Sequence, residues 1–174
     1  MYSKEVVIPE KVNVEILGSK VKISGTKGNL ERVFEMTGLK MKMKENKIVI
    51  SAEQDRRKTK ALVGTVAAHI RNLIEGVTKG FTYKLKVIFS HFPIQLKIEK
   101  DKVIFLNFLG ERTLRIAQIV GKTEVKIEGQ DITVTGINLE DVGQTSSNLE
   151  LATRRTGYDK RVFQDGCYIV SKGE

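Results

Sequence analysis

Residues 12–28, VNVEILGSKVKISGTKG, lie without a gap over residues 94–110, IQLKIEKDKVIFLNFLG. Val12 falls on Ile94, Val14 on Leu96, Ile16 on Ile98, Lys20 on Lys102, Val21 on Val103, Ile23 on Phe105 and Gly28 on Gly110. The match resumes further along. Ile48, Ile50 and Ser51 meet Ile132, Val134 and Thr135; Val63-Gly64 meets Val142-Gly143; and Ile70 meets Leu149. Alternating apolar residues are generic to strands, but order and spacing kept through four successive elements point to a duplicated unit. What the two copies share is then scaffold, and what only one copy has is a candidate for function.

Working outward from this stretch, the pattern reads as α+β with antiparallel pairing. Val12, Val14 and Ile16, then Val21 and Ile23 after the turn at Gly18-Ser19, form a hairpin. Leu39, Met41 and Met43 alternate with Lys40, Lys42 and Lys44, and Ile48 and Ile50 return after Glu45-Asn46. A helix follows from about Arg57 to Glu75 on the stripe Leu62, Val63, Val66, Ile70, Leu73 and Ile74, with Gly76 ending it. The second copy repeats the plan. Tyr83, Leu85, Val87 and Phe89 make a strand, Val125 and Ile127 pair across Gly129-Gln130 with Ile132 and Val134, and Asn138 caps a helix from about Leu139 to Thr153. The expected architecture is two tandem similar domains, 1–80 and 81–174, each an antiparallel sheet packed with one main helix. The linker Gly76-Val77-Thr78-Lys79-Gly80 is too short and too varied to be a flexible tether.

Charge narrows the function. Thirty Lys and Arg against 21 acids leave a net charge of +9, an excess that suits a polyanionic partner and above all nucleic acid. No apolar run is long enough to cross a bilayer, no signal peptide is expected at Met1-Tyr2-Ser3-Lys4, and no basic amphipathic helix suggests a membrane surface. The single Cys167 has no intrachain disulfide partner, which fits a reducing compartment.

The sharpest candidate site is what the second copy adds after its helix. Thr153-Arg154-Arg155-Thr156-Gly157-Tyr158-Asp159-Lys160-Arg161-Val162-Phe163 reads as a basic C-terminal tail with two aromatic rings among four cations. Guanidinium groups fork onto phosphate, and aromatic rings stack on unpaired bases. Thr153, Arg154, Arg155, Tyr158, Lys160, Arg161 and Phe163 are therefore the expected RNA contacts. Arg56, Arg57 and Lys58 are added because cations before a helix oppose its macrodipole, so that helix stability does not explain them; a phosphate contact and a solvated face both would. The lysines of residues 40–47 read as the wet side of a strand.

Catalysis finds no support. Gly25-Thr26-Lys27-Gly28 lacks the spacing of a phosphate loop and reads as a turn. Thr145, Ser146 and Ser147 have no nearby histidine to activate them, and His69, His91 and Cys167 have no metal-ligand spacing. No metal, cofactor or small-molecule substrate is expected.

The chain also resembles the large-subunit ribosomal protein "L-six" family along essentially its whole length. The resemblance rests on Ile8-Pro9, on Ile23 to Gly28, on Glu75 to Phe81, on Tyr83-Lys84-Leu85, and on Thr135 to Asn138 through Val142-Gly143-Gln144. Asn148 to Arg154 resembles the archaeal and eukaryotic branch and departs from the bacterial ending, so bacterial tail contacts do not transfer by position. The resemblance implies two similarly folded α+β domains and no catalytic activity. It also implies ribosomal RNA bound chiefly through the second domain and tail, near the sarcin–ricin loop and stalk base. Neighbouring ribosomal proteins would be partners, translational GTPases indirect ones, and the location the cytoplasmic ribosome. The alternative is a non-ribosomal basic module holding an acidic protein partner through Lys40, Lys42 and Lys44.

Overall fold

The computed structural model describes residues 2–34, 38–44, 46–52, 54, 56–159 and 161–173. The chain divides into two compact units, Met1–Gly80 and Phe81–Glu174.

In the first unit, β1 (Tyr2–Val7), β5 (Leu39–Lys44) and β6 (Lys47–Ala52) form one antiparallel sheet in the order β1-β6-β5. A second sheet is the meander β2 (Asn13–Leu17), β3 (Lys20–Gly25) and β4 (Gly28–Val33). α1 (Arg57–Thr78) packs on strands of both sheets. The second unit builds the same pieces from β7 (Phe81–Ile88), β8 (Gln95–Glu99), β9 (Lys102–Leu106), β10 (Arg115–Gln118), β11 (Glu124–Glu128), β12 (Asp131–Gly136) and α2 (Leu139–Ala152). Its meander runs β10-β9-β8, and its larger sheet runs β11-β12-β7-β13, where β13 is Gly166–Lys172.

Most of the matched apolar residues lie in the two cores, although Ile98 is exposed. Val21, Ile23, Ile48, Ile50, Val63 and Ile70 are fully buried in the first unit, as are Val103, Phe105, Ile132, Val134, Val142 and Leu149 in the second. Burying each such side chain contributes about 1.5–3 kcal/mol, so the pattern the copies share is the pattern that holds each of them together. The duplicated α+β plan is therefore the fold, with the strands of each unit divided between two sheets.

The structure corrects two readings and adds to a third. Gly76 does not end α1: it is buried inside the helix, which runs to Thr78. The stop is Gly80, at φ 76°, a left-handed conformation that glycine adopts without steric cost. Second, the turn Gly25-Thr26-Lys27-Gly28 has a further task. Its Lys27 N–H donates to Val77 O at 2.9 Å, the Thr26 hydroxyl donates to Thr78 O at 3.3 Å, and Lys27 Nζ reaches Lys79 O. The turn thereby satisfies carbonyls at the end of α1 and sets a cation where the helix dipole is negative. Gly25 has to be glycine there, because a Cβ would stand 2.7 Å from Val77 atoms.

Third, the residues after α2 are not a trailing tail. The chain loops back and adds β13 antiparallel to β7, with Cys167 opposite Val87 and Ile169 opposite Leu85. Both inward side chains join the second core. β13 has no counterpart among the described residues of the first unit, so the second copy adds a loop and a strand.

Candidate nucleic-acid interface

The loop of residues 153–165 is pinned at both ends. At the start, Thr153 is 3% exposed; its hydroxyl donates to Glu150 O at 3.2 Å and accepts the Cys167 N–H at 2.8 Å. One side chain thus closes α2 and ties it to the start of β13. Thr153, read from the sequence as an RNA contact, faces inward because this buried N–H needs an acceptor.

Arg155 is half-buried and also turned inward. Its Nη1 donates to Asp165 O at 2.6 Å and to the Tyr168 hydroxyl, and Tyr168 in turn donates to Gln164 O at 3.0 Å. At the far end, Asp165 is fully buried. Its carboxylate accepts from Ser90 N at 3.2 Å, the Ser90 hydroxyl at 3.0 Å and His91 N at 3.4 Å. Burial pushes this carboxyl up, but the hydrogen bonds from Ser90 and His91 together outweigh it and hold it below the ordinary aspartate value. Burial, with the Glu150 charge adding to it, pushes the Cys167 thiol up to about 12, so it is neutral and unreactive.

The crown of the loop is left to solvent. Arg154 and Arg161 are exposed, and Tyr158 is 45% exposed. Asp159 shapes the turn beneath: its carboxylate accepts the Arg161 N–H at 2.9 Å and its carbonyl accepts the Phe163 N–H at 2.9 Å. Phe163 is half-buried against the second core. Its ring lies 4.8 Å from His91 on one side and meets Tyr158 edge-on at 4.9 Å on the other. Phe163 is therefore the support and Tyr158 the presented ring. Lys160 lies outside the described residues. Arg56, Arg57 and Lys58 are exposed at the start of α1, in the other unit, where the Arg56 N–H is taken up by the Thr59 hydroxyl at 3.2 Å.

Sequence reasoning missed the residue that orients the start of the loop. Arg115, on β10, makes a bidentate pair with Glu111 at 2.8 and 2.9 Å, lies 4.3 Å over the Phe108 ring, and donates to Ala152 O at 3.1 Å and Arg154 O at 2.9 Å. It caps α2 much as Lys27 caps α1. The Arg115 guanidinium bonded to Glu111 holds that carboxyl below its usual range. The i,i+4 spacing of the two is the only signal the sequence carries for this role.

Ser90, His91 and Asp165 have the composition of a hydrolytic triad but not its geometry. The Ser90 hydroxyl and the Asp165 carboxylate both approach the same ring nitrogen, His91 Nδ1, at 3.0 and 3.4 Å. A relay needs the two ring nitrogens to serve different partners, so this cluster fastens a loop. Among the described residues no group of His, Cys, Asp and Glu could hold a metal ion, and no helix is long and apolar enough to cross a membrane.

A twofold α+β scaffold whose unmatched segment is a pinned, basic, aromatic loop defines a two-domain structural protein with a presented surface. The family described as Ribosomal protein L6 matches it twice, over residues 8–80 and 92–166. The chain belongs to the ribosomal protein L6 family. The large ribosomal subunit protein uL6 of Methanosarcina mazei is 45% identical over 170 residues, covering 98% of this chain and 97% of that one. Those of Staphylothermus marinus and Desulfurococcus amylolyticus are 49% and 47% identical over 175 residues, covering 98% and 99% of this chain and 95% of each relative. These are archaeal proteins, in line with the branch that the ending resembles. As a member of this family the chain is a structural component of the large ribosomal subunit and not an enzyme.

Proposed function

We propose that the chain binds large-subunit ribosomal RNA through the loop of residues 153–163. There it braces the RNA near the sarcin–ricin loop and stalk base, where translational GTPases dock on the cytoplasmic ribosome. The observation that carries this reading is the division of labour in the loop. Thr153, Arg155 and Phe163 hold the loop in place, while Arg154, Tyr158 and Arg161 are exposed on it. Two cations on a fixed frame meet phosphate without first losing the conformational entropy of a free tail, and an exposed ring beside them offers a face to an unpaired base. Lys160 would add a third cation. Arg56, Arg57 and Lys58 form a separate candidate contact on the first unit.

The test is the salt dependence of binding to a ribosomal RNA fragment containing the sarcin–ricin and stalk-base helices. Replacing Arg154 and Arg161 together with Ala should weaken binding and make the slope of log K against log salt shallower by about 1.4–1.8, two phosphate contacts' worth. An unchanged slope would remove the loop from the interface.

A further inference from the structure

The two units differ at one sheet edge. β7 is paired on both sides, by β12 and by β13. Its counterpart β1 is paired by β6 alone, and no strand among the described residues lies along its other side. The registers make the correspondence residue by residue. Val6 faces Ile48 as Leu85 faces Ile132, Lys4 faces Ile50 as Tyr83 faces Val134, and Tyr2 faces Ala52 as Phe81 faces Gly136. The fold has thus already been used with this edge filled, in its own second copy.

An unfilled edge of six residues presents a row of backbone donors and acceptors, and stable proteins blunt such edges or cover them. At the opposite edge of the same sheet, β5 carries Lys40, Lys42 and Lys44, the usual protection. β1 is less guarded: Val7 is 65% exposed and Tyr2 37%. Its one lysine, Lys4, stands in the row that faces the core, opposite the fully buried Ile50, and is half-buried. Lys4 has no ion pair among the described residues, whereas Lys47 on the outward face is paired with Glu5 at 3.1 Å. A half-buried ammonium beside an open edge is best met by a carboxylate on whatever strand comes to lie there.

We infer that β1 is a strand-addition site. It accepts an extended segment of another protein of the large subunit, running antiparallel as β13 runs along β7, with an Asp or Glu placed to meet Lys4. Main-chain hydrogen bonds give the affinity, and the Lys4 pair sets the register. This rests on membership of the ribosomal family and not on the RNA-binding loop, so either can fail alone.

Hydrogen exchange on assembled large subunits, compared with the isolated protein, tests it. The expected result is slowing by about tenfold or more at alternate amides of residues 2–7, those not already bonded to β6. Zero-length carbodiimide coupling on the same subunits should join Lys4 to a carboxylate of another protein. Exchange as fast as in the isolated chain overturns the inference. So does protection without a Lys4–carboxylate adduct, which would mean RNA cover, and so does an adduct to a second copy of this chain.

Discussion

The Arg115 guanidinium donates to the Arg154 carbonyl at 2.9 Å, and so ties a residue of the β8–β10 meander to the first exposed cation of the loop. The same guanidinium holds the last helical carbonyl, Ala152 O. Arg115 therefore fixes where Arg154 leaves the helix. Arg115→Met should keep the stem over Phe108 but lose the donors, at a cost of about 2 kcal/mol of stability, read from urea unfolding. RNA affinity should fall with it while the salt slope stays unchanged, because Arg115 positions the loop without meeting phosphate. A slope that falls with the Arg115 variant would make it a contact instead.

Asp165 gives the loop a pH dependence of known sign. Its folded carboxyl lies below the ordinary aspartate value of about 4. The ionised form therefore stabilises the fold above that range, and the contribution is lost as pH falls through the lower folded value. Asp165→Asn should lower the melting temperature at neutral pH and flatten the acid limb of the melting curve relative to the parent. Parallel acid limbs in the two proteins would show that Asp165 is not the group being titrated.

Tyr158 is assigned to a base and Phe163 to its support. Tyr158→Leu should weaken RNA binding by about 1–3 kcal/mol with the salt slope unchanged, and lower stability by no more than about 1 kcal/mol through the lost edge-on contact with Phe163. Tyr158→Phe should retain most of the affinity. Equal losses for the Phe and Leu variants would shift the role from the ring to the hydroxyl.

Much of the scaffold was legible because burial and periodicity coincide. Val21, Ile23, Ile48 and Ile50 alternate, the α1 stripe repeats at helical spacing, and its buried members join them in the core. β1, β4, β10 and β13 are not expected from the sequence pattern. β13 shows why: its pairing with β7 joins Cys167 to Val87, far apart along the chain, and the basic run before it reads as solvent-facing whether or not a strand follows. Gly76 misled because a glycine after an apolar stripe looks like a stop, whereas here it is a small buried residue one turn before the real one at Gly80.

The site divides in the same way. Arg154 and Arg155 are indistinguishable as neighbours in a sequence. They separate only because Asp165 O and the Tyr168 hydroxyl, more distant along the chain, come within reach of Arg155. The mismatch between the copies marks the segment as an addition, and its charge and aromatic content mark it as a candidate site. Which members face outward is a product of tertiary hydrogen bonding, and no periodicity encodes it.

Whether the crown of this loop lies on ribosomal RNA is tested most directly by photo-crosslinking from position 158 in assembled large subunits. A photoreactive phenylalanine in place of Tyr158 should join to RNA, with the adducts mapping to the sarcin–ricin and stalk-base helices. Adducts to protein alone, or RNA adducts confined to distant helices, would contradict the assignment.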